Sequence, residues 1–116
     1  YDVIVGTYGH AADGNLHTKM LLEPESETSW MNGEKAVEEI FDVCIRLGGT
    51  VTGEHGVGIS KAPYFQKERA TMLGAMAAIK KALDPNNIMN PGKLQEWEGS
   101  IITHLRYPCD DHCDRG

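Results

Sequence analysis

The side chains able to do chemistry concentrate in two loops. Gly9-His10-Ala11-Ala12-Asp13-Gly14-Asn15-Leu16-His17 supplies two imidazoles, and Gly53-Glu54-His55-Gly56-Val57-Gly58 supplies a carboxylate and a further imidazole. Two neutral imidazoles and one carboxylate suit a borderline divalent ion such as zinc, and a set of three protein ligands leaves coordination positions open for a substrate. His10, His17 and Glu54 are the candidate ligands, and His55 is left for proton transfer. Asp13 reads as a turn residue or as a partner bonded to one of the imidazoles rather than as a ligand. A plainer reading stands beside this one, in which His10 and His17 bond to turn backbone and the glycines serve tight bends.

The elements around these loops decide whether the groups can meet. Residues 2 to 8 are rich in Val, Ile, Tyr and Thr, and Asp13-Gly14 is a strong turn signal before a second extended run from Asn15 to Leu22, so a β-hairpin is expected. With residues 11 to 14 as the loop, His10 falls opposite Asn15 and diagonal to His17 on one face. Diagonal cross-strand neighbours lie about 7–8 Å apart, within reach of long side chains. Glu54 and His55 are adjacent and would point apart on an extended backbone, but a bend made by Gly53, Gly56 and Gly58 can turn both into one cavity. The same glycines do not make a phosphate loop: the spacing is not G-x-G-x-x-G, no Gly-Lys-Ser/Thr follows, and no βαβ unit surrounds them.

Elsewhere the pattern is helical. Glu23 to Ser29 is acidic and proline-bearing and reads as a solvated loop, with Asn32 as the cap of a helix over 33 to 47 whose stripe is Val37, Ile40, Phe41, Cys44 and Leu47. Thr50-Val51-Thr52 reads as a short strand delivering the second loop. Met72, Leu73, Met76, Ile79 and Leu83 define another helix, from about Gln66 to Leu83, stopped by Asp84-Pro85. A turn-rich segment follows to Lys93. Trp30 and Trp97 are assigned to packing, as are Met72 and Met76.

Composition sets limits on function. The 116 residues carry a formal charge of −6 and are 41% hydrophobic and 24% charged, which suits one globular domain. No basic stripe is present, so nucleic acid is not expected as a partner. No run approaches the roughly 20 apolar residues of a membrane span, and the start lacks the marks of a signal peptide. The three cysteines, Cys44, Cys109 and Cys113, are too few for a disulfide framework, and a cytoplasmic location is expected. Cys109, His112 and Cys113 do not complete a four-ligand structural zinc site within the chain. A start without methionine suggests a piece of a larger protein.

The order Gly-His-x-x-Asp-Gly-Asn-Leu-His, then Gly-Gly-Thr-Val-Thr-Gly-Glu-His-Gly-Val-Gly, then Leu-Asp-Pro-Asn-Asn-Ile-Met-Asn-Pro-Gly-Lys resembles the C-terminal part of FAD-linked oxidases. That family includes the flavin-linked chain of glycolate oxidase, D-lactate dehydrogenases and D-2-hydroxyglutarate dehydrogenase. The resemblance spans residues 1 to 94 and leaves 95 to 116 as a C-terminal tail. It implies a flavoenzyme that oxidises a small D-2-hydroxy acid, with FAD held mainly by an upstream domain and an electron-acceptor protein reoxidising it.

In metal-dependent members the two motif histidines and the motif glutamate, here His10, His17 and Glu54, hold the ion, and the next histidine, His55, is the general base. Asn15 and Lys19 fall at substrate-side positions, and Asn90 and Lys93 at the motif beside the flavin. Two positions depart from the pattern. Ala12 replaces a common glycine, and Lys19 stands where the hydroxyglutarate enzymes carry a substrate-touching asparagine, which argues against hydroxyglutarate. The expected fold is α+β: a small antiparallel sheet with helices on one face, a ferredoxin-like part of a cap domain. The fragment alone is expected to be inactive. Two further readings are a metal-dependent hydrolase using Glu54 or His55 as base, and a non-catalytic module that self-associates as a homodimer through an exposed sheet edge.

Overall fold

The computed structural model describes residues 1–93. Their order is β1 (Ile4–His10), β2 (Asn15–Leu21), α1 (Glu27–Arg46), α2 (Ala62–Glu68) and α3 (Leu73–Leu83), an α+β arrangement in which one hairpin precedes three helices. Leu94 to Gly116, including Trp97 and the Cys109, His112 and Cys113 group, lie outside the described residues.

The two strands pair antiparallel, with Ile4 opposite Leu21, Tyr8 opposite His17 and His10 opposite Asn15. Their turn is closed by the Asp13 amide donating to the His10 carbonyl at 3.1 Å. Gly14 has φ +67°, a left-handed conformation that costs glycine nothing. β1 is exposed along its whole length, so the helices cover little of the hairpin.

Helix α1 starts earlier than the sequence pattern predicts. Ser26, rather than Asn32, is its cap: the Ser26 hydroxyl accepts from the Ser29 amide at 3.2 Å, while the Ser29 hydroxyl accepts from the Glu23 amide at 3.0 Å. The Trp30 indole donates to the Pro24 carbonyl and ties the entering chain to the first turn. Glu27, Thr28 and Ser29 make this turn polar, so it adds nothing to the apolar period. Gly33 and Ala36 are buried on α1, and a Cβ on Gly33 would stand 2.8 Å from Leu22 Cδ2. The helix therefore seats the chain leaving β2.

Val51 and Tyr64 form the small core, flanked by Val37, Phe41, Ile45 and Phe65, with the Phe41 and Tyr64 rings 4.4 Å apart. Thr50 to Thr52 is not a strand. Its backbone is held by a side chain instead: Glu68 Oε2 accepts from the Val51 amide at 2.8 Å and the Thr50 hydroxyl at 3.1 Å, and Glu68 Oε1 pairs with Arg69. Satisfying the amide of a residue only 3% exposed removes the need for a strand partner.

The single helix predicted from about Gln66 to Leu83 is two helices. α2 begins at Ala62, with Pro63 in its first turn where a missing amide hydrogen does no harm, and the chain turns through 69–72 before α3. Asp84 closes α3, its carboxylate accepting from the Ile88 and Met89 amides at 3.0 and 2.9 Å and pairing with Lys80. Among the described residues no helix is long and apolar enough to cross a membrane.

Candidate metal centre

The hairpin register positions the first two imidazoles. Because His10 faces Asn15 across the ladder, His17 is its diagonal neighbour on the same sheet face, and the two rings meet edge to face with centroids 5.6 Å apart. Glu54 arrives from the other loop. That loop is fixed at its base by Glu68 on Thr50 and Val51, closed by the Thr52 hydroxyl donating to the Gly56 carbonyl at 3.0 Å, and bent at Gly56, where φ is +76°.

Glu54 Oε1 then lies 2.9 Å from His17 Nε2, 3.2 Å from His55 Nε2 and 3.7 Å from His10 Nε2. One donor atom from each of His10, His17 and Glu54 falls within 4.8 Å of the other two. Donors bound at about 2.0–2.2 Å to one ion sit roughly 3–4 Å apart. Chemistry and spacing thus fit a divalent cation after small side-chain rotations. His17 is the sheltered member at 15% side-chain exposure, whereas His10 and His55 are 57% and 71% exposed, so the cluster opens toward solvent on their side.

The other candidate residues are placed less centrally. Asn15 is half-buried with its amide against Gly53, and Lys19 is exposed two residues beyond His17 on the same strand face. Asn90 and Lys93 are exposed in the turn after α3, with Asn90 at φ +47°. Two exposed side chains on one turn do not by themselves make a flavin cradle.

One neighbour escapes a reading based on ligand types. Tyr8 stacks on His17 with centroids 5.1 Å apart and planes 25° from parallel. The signal was available, since the hairpin register that pairs His10 with Asn15 also sets Tyr8 opposite His17. Glu68 left no such signal, because its contact with Val51 joins distant parts of the chain.

Comparison with known proteins gives this arrangement a context. Residues 1–94 match the family model described as FAD linked oxidases, C-terminal domain. The chain belongs to that family. It is 48% identical over 95 residues to glycolate oxidase subunit GlcD of Bacillus subtilis, covering 81% of this chain and 20% of that protein. It is 46% identical over 86 residues to the mitochondrial D-lactate dehydrogenase [cytochrome] of Arabidopsis thaliana, covering 73% of this chain and 15% of that protein. The Escherichia coli K12 glycolate oxidase subunit GlcD is 33% identical over 97 residues, covering 80% of this chain and 19% of that protein. The chain thus spans about a fifth or less of the length of these relatives.

Proposed function

We propose that this chain is the substrate-facing part of an FAD-dependent oxidoreductase that converts a D-2-hydroxy acid of the glycolate or D-lactate type to its 2-oxo acid. The observation that carries the reading is the meeting of His10, His17, Glu54 and His55 around one carboxylate oxygen. The names of the relatives support the substrate class.

His10, His17 and Glu54 would hold a divalent cation, with zinc the best match to a mixed imidazole and carboxylate set. Bound there, it would supply Lewis-acid chemistry, making a substrate hydroxyl easier to deprotonate and orienting its carboxylate. His55 is exposed at the rim of the cluster, with Nε2 3.2 Å from Glu54 Oε1, and takes the hydroxyl proton on that nitrogen. Lys19 offers a cation to the substrate carboxylate and Asn15 a hydrogen bond. Flavin, held by an upstream domain, would supply the acceptor for the hydride, and Asn90 and Lys93 are the side chains of this chain that would lie on its side of the site.

The test uses the intact protein. A yellow preparation whose 450 nm band bleaches anaerobically with D-lactate or glycolate supports the proposal. A colourless protein, or a flavin that neither acid reduces, contradicts it.

A further inference from the structure

Beside the cluster lies a close contact made by none of the candidate ligands. Gly53 packs directly on the side chain of Asn15: a Cβ built on Gly53 would stand 2.5 Å from Asn15 Oδ1, 2.7 Å from Cγ and 3.1 Å from Nδ2. Gly53 is not among the residues with positive φ, so it is glycine for space rather than for backbone conformation. Asn15 is half-buried and starts β2, and its backbone is held in the ladder opposite His10, so the strand beneath the amide does not move away with it.

We infer that Asn15 and Gly53 act as a positioning pair, a flat amide seated on a bare backbone, that sets how closely the Glu54 loop approaches the two hairpin imidazoles. The pair lies one residue before Glu54 on the loop and two before His17 on the strand, so it is the near end of the lever that brings Glu54 Oε1 to 2.9 Å from His17 Nε2. The far end is already anchored by Glu68 on Thr50 and Val51. Between these fixed points the Thr52 hydroxyl, bonded to the Gly56 carbonyl, keeps the bend from opening. A methyl group at Gly53 would either turn the Asn15 amide off its seat or push Glu54 away from the hairpin, and in both cases the pair no longer sets the approach of the loop. This role for Asn15 acts through Glu54 and does not require contact with substrate. The inference rests on the cation reading of the site.

The experiment measures cobalt(II) affinity of the intact protein by competition with a chromophoric chelator, together with the visible spectrum of the bound cobalt. Four proteins are compared: wild type, Gly53→Ala, Asn15→Ala and the double variant. Groups that orient metal ligands typically carry about 10–100-fold in metal affinity, and Gly53→Ala should lose that much. Asn15→Ala should lose less and fold normally, because it removes atoms and adds none. The double variant should bind cobalt as well as Asn15→Ala does, with the same spectrum, since the clash is gone.

Gly53→Ala with wild-type affinity overturns the inference. So does a double variant whose losses are the product of the two single losses. If Gly53→Ala does not fold, the double variant read against Asn15→Ala still decides. Wild-type protein that takes no cobalt overturns the cation reading itself, and this inference with it, whereas wild-type binding without the coupling overturns only the positioning pair.

Discussion

His17 Nε2 and Glu54 Oε1 sit 2.9 Å apart, joining a β-hairpin to a glycine-rich loop far along the chain. Each partner is delivered by a separate device, the strand register for His17 and the Glu68 anchor for Glu54. Changing either device should therefore disturb the same site.

The anchor makes the first prediction. Glu68→Ala leaves the buried Val51 amide without its acceptor, a loss of about 1–3 kcal/mol in stability. Because the Glu54 loop follows at once, cation affinity should fall with it. Urea unfolding and cobalt titration of the same variant check both effects, and a variant that loses neither would contradict the anchoring role.

The Tyr8 ring shelters one face of His17. Stacked aromatic pairs contribute about 0.5–1.5 kcal/mol beyond their buried area. Tyr8→Phe should keep that stabilisation and Tyr8→Ala should lose it, measured as a shift in the urea midpoint. Equal loss in both variants would assign the effect to the hydroxyl instead.

At the end of α3, the Lys80 ammonium, with the Met89 and Ile88 amides, holds the Asp84 carboxyl below its ordinary 3.8. The unfolded chain takes up this proton first as pH falls, so Asp84 contributes stability above about 3.8 that disappears as pH drops through the lower folded value. Asp84→Asn should be less stable than wild type at neutral pH, and the difference should shrink in acid. Thermal melts from pH 7 to 2 read it directly. A gap between the two proteins that stays constant over that range would refute the assignment.

Burial pushes the Tyr64 hydroxyl up to about 12, with Glu34, Glu38 and Asp42 adding to the shift. Between about 10 and 12 the unfolded chain loses this proton while the folded chain keeps it, so stability falls as pH rises through that window. Tyr64→Phe should flatten this alkaline limb. Guanidinium midpoints from pH 8 to 12 test it, and an unchanged slope would show that other groups carry it.

The hairpin was legible because its evidence is local: alternating side chains and an Asp13-Gly14 turn fix the register, and the register alone sets His10 diagonal to His17. The convergence of Glu54 was legible only as a possibility opened by the glycines around it. Helix α1 begins too early to be read from apolar spacing, since its first turn is polar and held by Ser26 and Ser29 hydroxyls. The break inside the helix predicted from Gln66 to Leu83 was not legible because the apolar stripe begins only at Met72, so its spacing says nothing of residues 69–72, which turn. Thr50 to Thr52 has strand composition, yet a carboxylate from α2 takes the place of a neighbouring strand. At α1 and at Thr50 to Thr52, a side-chain contact overrode the local pattern.

Diffraction from crystals soaked in zinc, recorded on both sides of the zinc absorption edge, tests the central claim most directly. The account predicts one anomalous peak about 2.0–2.2 Å from His10 Nε2, His17 Nε2 and a Glu54 carboxylate oxygen, with His55 unligated beside it. Density showing His17 and Glu54 still bonded to each other, with the zinc bound elsewhere or nowhere, would contradict it.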